Sequence, residues 1–142
     1  MLKRIPAILL VLMLLVALIP APCAEAATPR YSHILSIGAG IDLNGSSLWY
    51  LGQADSMFTD TTTHMMVTLY RRPIGGSSWY GVQTAYANSQ GVIPSYIEKT
   101  VTVSSGYDYR IYVGVTIRDA DGNKLESSGM YSRTVSYPNP SN

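Results

Sequence analysis

The sequence is poor in the residues that most catalytic and metal sites require. Its 142 residues include one cysteine and two histidines. The cysteine, Cys23, lies in an N-terminal segment that we expect to be removed on export, so the mature chain would contain no thiol. Thiolate nucleophiles and cysteine-ligated zinc are thereby excluded. Because no disulfide could form, stability would have to come from a packed hydrophobic core.

An excess of charge of one sign is also missing. Ten Lys and Arg residues are balanced by nine Asp and Glu residues, which gives a formal net charge of +1 at pH 7. Loss of Lys3, Arg4 and Glu25 with the N-terminal segment leaves eight charges of each sign. A chain without a basic surplus is not drawn to a polyanion, so we expect no nucleic-acid partner.

Residues 1–26 have the pattern of a secretory signal peptide. Basic residues precede an apolar run over residues 5–19, and the small residues Ala24 and Ala26 supply a cleavage site. The run is shorter than the roughly 20 residues that cross a bilayer, so we expect no membrane span after signal removal. Residues 27–142 are then one domain, since their length is too small for two cores. We expect a secreted protein, extracellular or associated with the cell surface.

Alternation of apolar and polar residues, the period of a strand with one buried face, recurs along the mature chain. It is clearest from Tyr107 to Ile117, where the odd-numbered residues are large and apolar. A strand of this length is expected in the middle of a sheet. Six further segments have the same character, and none has the 3.6-residue period of a helix. These segments are residues 35–43, 48–57, 64–72, 79–87, 97–103 and 130–137.

Turn residues separate the segments at intervals of about 8 to 12 residues. Asn44-Gly45 and the Asp-Ala-Asp-Gly-Asn run at residues 119–123 both have hairpin-turn chemistry. The sequence therefore predicts an all-β fold, with about seven strands in an antiparallel sandwich like those of immunoglobulin and fibronectin type III domains.

For one predicted strand the sequence does not decide which residues face the core. The alternation of residues 48–57 fails at Gly52, so that either Trp49 and Leu51 or Tyr50 and Gly52 face the core. The aromatic part of the core is expected to consist of Tyr107, Tyr109 and one of Trp49 and Trp79.

Four short motifs are spread over the mature chain. They are Arg30-Tyr31-Ser32, Trp79-Tyr80-Gly81-Val82, Gly106-Tyr107-Asp108-Tyr109-Arg110, and Asp121-Gly122 followed by Glu126-Ser127. Together they resemble a group of short exported proteins of clostridia and related Gram-positive bacteria, catalogued as domains of unknown function. Because the motifs consist of turn and core residues, the resemblance implies a secreted bacterial β-sandwich and carries over no functional site.

The glycine and tyrosines that open the longest strand also resemble the penultimate strand of fibronectin type III and immunoglobulin domains. In those domains a tyrosine hydroxyl bonds back to the backbone just upstream, an arrangement called the tyrosine corner. The resemblance implies this role for Tyr107 or Tyr109. The immunoglobulin cysteine pair is missing, which leaves the fibronectin-like variant.

No arrangement for catalysis stands out. A Ser-His-Asp site needs an imidazole between a hydroxyl and a carboxylate, whereas His33 and His64 both fall at strand boundaries. Most acids lie in or beside loops, and a sandwich of this size offers no deep cleft for glycoside hydrolysis. We therefore predict a protein that is not an enzyme and has no cofactor. A hydrolase would require His64 close to an acid such as Asp60.

Asp119 and Asp121 are the only candidates for a metal site. Alternate acids can converge on calcium, but an EF-hand loop needs glycine at its sixth position and glutamate at its twelfth. Counted from Asp119, Gly122 is fourth and Glu126 is eighth. A hairpin turn with Gly122 at positive φ explains the same residues. We predict no metal and leave calcium as the alternative.

The aromatic residues are weighted towards tyrosine, with eleven Tyr and two Trp against one Phe. Tyr and Trp combine a flat face with a polar tip and suit half-exposed positions and interfaces. Arg110 and Tyr112 lie in the phase opposite to the core face of their strand, and Trp79 and Tyr80 begin another strand. These four are the candidate binding residues. The alternative is that tyrosines simply suit strands.

Three functions are compatible with these features. The leading hypothesis is a secreted, non-catalytic interaction module that binds an unknown protein or the cell envelope, since function on such folds lies in surfaces. The second is a carbohydrate-binding module whose exposed Tyr and Trp rings, Trp79 first, stack on sugars of a cell-envelope glycan. The third is a hydrolase that acts on the envelope.

Overall fold

A computed structural model describes residues 31–139, and the predicted signal peptide lies outside them. The described chain contains no helix and folds into eight β-strands. The strands are β1 (Ile34–Asn44), β2 (Ser47–Ser56), β3 (Thr62–Pro73), β4 (Tyr80–Gln90), β5 (Ser95–Thr102), β6 (Tyr107–Arg118), β7 (Lys124–Tyr131) and β8 (Val135–Tyr137). No helix that could cross a membrane occurs within residues 31–139.

The strands form two antiparallel sheets packed as a sandwich, which confirms the predicted fold class. One sheet has the order β1-β2-β5, and the other has the order β4-β3-β6-β7 with β8 also paired to β6. β6, the strand with the longest alternation, lies between β3 and the last strands, as expected. The arrangement is consistent with an immunoglobulin-like or fibronectin type III-like fold.

The last strand differs from the prediction, which made residues 130–137 one strand. Instead β7 begins at Lys124 and β8 follows after a break, and both pair with β6. At the break the Ser132 N–H donates to the Ile111 carbonyl, and the Ile111 N–H donates to Ser132 Oγ, both at 3.0 Å. The Ser132 side chain thus replaces a backbone acceptor and interrupts the ladder.

The core lies between the sheets, and its composition shows which face of β2 is buried. Tyr50 is 0% exposed, and Gly52 faces inward beside it. A Cβ at Gly52 would lie 3.3 Å from Val113 Cγ2 and closer still to Val67, so only glycine fits this approach of the two sheets. The largest fully buried side chains are Tyr50, Tyr109, Ile34, Leu48, Met65, Leu69, Ile111 and Ile117.

The aromatic core was therefore predicted only in part. Tyr109 is fully buried, and Tyr107 packs against the core while half-buried. The expectation that Trp49 or Trp79 enters the core is wrong, because both indoles are half-buried outside it. Tyr50 fills the position that a tryptophan was expected to take.

β1 departs from its alternation at its first residues. The pattern of residues 35–43 places Leu35 on the core face, yet Leu35 is 61% exposed and Ile34 is 0% exposed. The pairing with β2 shifts register between Ile34 and Ser36. This bulge rotates the start of the strand and brings Ile34 inward.

Tyr109 forms the tyrosine corner. Its hydroxyl donates to the Ser104 carbonyl at 2.8 Å and accepts from the Ser104 N–H at 3.1 Å. The two bonds tie the start of β6 to the turn after β5, in which Gly106 has a φ of 85°. The hydroxyl therefore fixes the turn that only glycine enters without strain.

Candidate functional site

The candidate site lies on the solvent side of the five-stranded sheet, which we call the outer face. On β3 and β6 it is formed by the even-numbered residues, because the odd-numbered ones face the core. Arg110 lies there opposite Tyr70 of β3, and Tyr112 lies opposite Thr68. Two of the four predicted binding residues thus share this face with neighbours from β3.

Trp79 joins Arg110 on the outer face. The Arg110 guanidinium lies 4.1 Å from the Trp79 ring centroid and 4.0 Å from that of Tyr131 on β7. The Arg72 guanidinium lies 4.7 Å from the same indole. We call Arg72, Trp79, Arg110 and Tyr131 the arginine–aromatic cluster. Since two guanidinium groups lie over the Trp79 ring, that ring is engaged within the protein.

Asp108 anchors one end of this cluster. Its Oδ2 accepts a hydrogen bond from Arg72 Nε at 3.0 Å, and its Oδ1 accepts one from Ser136 Oγ at 2.6 Å. The hydrogen bond from Ser136 and the contact with Arg72 outweigh burial and hold the pKa of Asp108 below its usual value. The carboxylate therefore stays charged and orients Arg72 towards Trp79.

Tyr112 lies flat over Gly114 of its own strand, β6, and over Gly129 of the neighbouring strand, β7. A Cβ at Gly129 would lie 2.6 Å from Tyr112 Cζ, and a Cβ at Gly114 would lie 3.1 Å from Tyr112 Cε1. The Tyr131 ring packs against it with 4.9 Å between centroids. Because neither glycine has a side chain, the Tyr112 ring can lie directly against the sheet, and Tyr131 holds it there.

Beside the Tyr112 ring, the outer face forms an open groove of about 550 Å³. Tyr86 of β4 stands on the other side and is 74% exposed. The register of the sheet aligns two adjacent rows of residues across β4, β3, β6 and β7, and these rows supply most of the residues that line the groove. One row is Tyr86, Met66, Gly114 and Gly129, and the other is Asn88, His64, Thr116 and Ser127.

The groove is lined by uncharged hydrogen-bonding groups and apolar surface. Its residues offer phenol, amide, imidazole, hydroxyl and thioether groups. No Asp, Glu, Lys or Arg is among the lining residues of the described chain. The volume lies within the range of about 300 to 1,000 Å³ that small-molecule sites have.

Tyr80 lies apart from the other three predicted residues. It pairs with Arg71, whose guanidinium lies 4.8 Å from the Tyr107 ring on the inward side of the sheet. Tyr80 is 59% exposed but does not line the groove. The structure therefore brings Trp79, Arg110 and Tyr112 to one face and leaves Tyr80 outside.

The aspartates considered for calcium form a turn. The Asp119 carboxylate accepts hydrogen bonds from the Asp121 N–H, the Asn123 N–H and Asn123 Nδ2, at 2.8 to 3.0 Å. The bonds from Asn123, the side chain first, hold the pKa of Asp119 below its usual value. Gly122 has a φ of 85°, as the hairpin reading requires. Residues 31–139 contain no group of three His, Cys, Asp or Glu side chains placed for a metal.

The histidines lie in different places. His64 lines the groove, whereas Asp60 and His33 line a smaller pocket near the Phe58 ring. His33 Nδ1 lies 3.9 Å from the Glu126 carboxylate. His64 and Asp60, which a hydrolase would have to bring together, thus line two different pockets.

Most of the groove was missed by sequence reasoning. Of the groove residues, the sequence points to Tyr112 for binding and to His64 only for a hydrolase, and it does not distinguish Tyr86 from the other tyrosines. The available signal was the pair of glycines inside strands, Gly114 and Gly129, because a strand glycine often marks a close approach. Their alignment with Tyr86 depends on the pairing of separate strands.

No family model matches the chain, and a search of curated proteins finds no significant match. The resemblance to exported clostridial proteins thus stays a prediction.

Proposed function

We propose that the protein is a secreted, non-catalytic interaction module that binds a component of the cell envelope with the outer face of its five-stranded sheet. The observation that carries this proposal is the groove between Tyr86 and Tyr112. A tyrosine ring that is 74% exposed at the rim of a preformed groove is free to pack against a ligand that enters the groove. The signal-peptide pattern of residues 1–26 supports the location.

The chemistry of the groove favours binding over catalysis. General acid–base chemistry needs a proton donor and acceptor positioned at the reacting bond. The lining residues include one imidazole, that of His64, and no carboxylate that could orient or assist it. The hydrogen-bonding groups of Asn88, Thr116 and Ser127 suit recognition of a polar ligand.

The opposite face of the sandwich is a weaker candidate. There the one tryptophan, Trp49, donates from Nε1 to Glu98 at 2.7 Å, and its ring covers Gly40 at 3.4 Å. Its polar tip and ring are both engaged within the protein. Tyr96 of β5 is 55% exposed on this opposite face, but no residue of the three-stranded sheet lines the groove between Tyr86 and Tyr112.

Sedimentation with isolated cell envelopes tests the proposal. The mature protein, Tyr86→Ala and Tyr80→Ala would each be mixed with envelopes of the organism that encodes the chain. Tyr80 is the matched control, since both tyrosines are exposed on β4 and only Tyr86 lines the groove. We expect the wild type and Tyr80→Ala to pellet with envelopes and Tyr86→Ala to remain in solution. Failure of the wild type to pellet, or equal pelleting of all three, would overturn the proposal.

A further inference from the structure

We infer that the groove between Tyr86 and Tyr112 binds a neutral polysaccharide chain. This inference rests on the proposed function and names its ligand class. Three features of the groove carry it: two tyrosine rings at its sides, an apolar floor formed by Met66 and Gly114, and a row of uncharged hydrogen-bonding groups beside them. Each feature matches a property of sugar polymers.

The rings match the faces of sugars. A pyranose presents a flat face of C–H bonds, which packs on an aromatic ring in the way other apolar groups do. Tyr86 stands on β4 and Tyr112 on β6, so two strand spacings, about 10 Å, separate their backbones. The Tyr112 ring also leans away from Tyr86, over Gly129 of β7. The spacing therefore favours an oligomer over a monosaccharide.

The Tyr112 ring is preorganised for this contact. Gly114 and Gly129 leave room for it to lie against the sheet, and Tyr131 packs against it at 4.9 Å. Tyr131 is in turn held by the Arg110 guanidinium at 4.0 Å. A ring fixed in this way loses little freedom when a ligand binds, which favours affinity. The arginine–aromatic cluster thus supports the groove without lining it.

The polar row matches hydroxyl groups. Amide, imidazole and hydroxyl side chains can each donate and accept, as sugar hydroxyls do. The row runs across all four strands as Asn88, His64, Thr116 and Ser127. Thr116 Oγ1 and Ser127 Oγ lie 3.1 Å apart and support one another. A ligand that passes along this row would find partners for several hydroxyls.

The absence of charge in the groove selects against other ligand classes. A phosphate, carboxylate or ammonium group would find no counter-charge among the described lining residues. Burial of such a group without a partner is unfavourable, whereas a neutral glycan carries no such penalty. On the same strand, the Arg110 guanidinium is already stacked between Trp79 and Tyr131, and the Arg118 guanidinium donates to the Gly122 carbonyl.

Titration calorimetry with neutral hexasaccharides tests the inference on the mature protein. The probes are chitohexaose, cellohexaose and maltohexaose, each compared with its monosaccharide. We expect at least one hexasaccharide to bind and its monosaccharide to bind at least tenfold more weakly. Tyr86→Ala should weaken hexasaccharide binding about tenfold or more, as loss of one aromatic anchor does, while Tyr80→Ala binds as the wild type. Asn88→Ala gives a second groove variant, with weakened binding expected at an unchanged unfolding midpoint.

The outcomes separate this inference from the proposed function. Absence of hexasaccharide binding, or equal binding by Tyr86→Ala and Tyr80→Ala, overturns the glycan assignment. If envelopes still retain the wild type but not Tyr86→Ala, and protease treatment of the envelopes abolishes retention, the groove binds a protein and the proposed function stands. If envelopes do not retain the wild type, the proposed function itself fails.

Discussion

The guanidinium of Arg110 lies 4.1 Å from the centroid of the Trp79 ring. The contact joins β6 to the residue that precedes β4, across the intervening β3. Trp79, the ring that the sequence favours for sugar stacking, therefore helps to hold the outer face together. The free aromatic surface belongs instead to Tyr86 and Tyr112.

Replacement of Arg110 by lysine tests the contribution of this contact to stability. The lysine keeps the charge but loses the planar guanidinium that stacks on Trp79 and Tyr131. We expect the free energy of unfolding to fall by about 1 kcal/mol, measured by denaturant unfolding. Arg133→Lys is the control, because its ion pair with Asp42 is exposed and should contribute little. Equal effects of the two substitutions would contradict the stacking account.

Two buried tyrosines should respond oppositely to loss of the hydroxyl. Tyr109→Phe removes both hydrogen bonds to Ser104 and should lower the free energy of unfolding by about 1 to 2 kcal/mol. The Tyr50 hydroxyl is buried without a hydrogen-bond partner among residues 31–139, and burial raises its pKa. Tyr50→Phe should therefore raise the free energy of unfolding by about 1 kcal/mol. If Tyr109→Phe and Tyr50→Phe change the free energy of unfolding in the same direction, measured by thermal and denaturant unfolding, this account is contradicted.

Gly52→Ala should overpack the core. The new methyl group would meet Val67 and Val113 where the two sheets approach. We expect a loss of about 1 to 3 kcal/mol in the free energy of unfolding. Combination with Val67→Ala, which makes room for the methyl group, should cost less than the sum of the two single substitutions. Additive losses in the double variant would show that the two positions do not compete for space.

Glu126 should make stability fall in acid. Its carboxylate accepts hydrogen bonds from the backbone N–H groups of Ser32, His33 and Ile34, the last two at 2.6 and 3.0 Å. Burial opposes the charge, but the three N–H groups outweigh it and hold the pKa of Glu126 below its ordinary value of 4.5.

A lowered pKa means that the folded state binds the proton less readily than the unfolded state. The stabilisation is complete above pH 4.5 and is lost as the pH falls through the lower pKa of the folded protein. Glu126→Gln should be less stable at neutral pH and should lose less stability than the wild type between about pH 5 and pH 3. Identical pH profiles of the two proteins would refute this role for Glu126.

The fold could be predicted where the alternation of apolar and polar residues within a single strand is sufficient to define that strand. β6 shows strict alternation from Tyr107 to Ile117, so its length, core face and central place follow from the sequence alone. The resemblance to fibronectin type III domains also implied the tyrosine corner, and the structure decides between Tyr107 and Tyr109 in favour of Tyr109. In both cases the decisive residues are close together along the chain.

Features that depend on contacts between distant residues could not be predicted. Gly52 obscures the alternation of β2 because its missing side chain is complemented by Val67 of the other sheet. Ser132 breaks the last strand through bonds to Ile111. The groove has the same origin, since Tyr86, Gly114 and Gly129 align only through the register of separate strands.

The most direct test of the central claim is the chemical reactivity of two tyrosines in the unaltered mature protein. Tyr86 and Tyr80 are 74% and 59% exposed, so both should be nitrated by tetranitromethane in free solution, as peptide mass spectrometry would show. When the protein is bound to isolated envelopes, we predict that Tyr86 is protected and Tyr80 remains reactive. Equal nitration of both in the bound state, or protection of Tyr80 alone, would contradict the assignment of the groove as the binding surface.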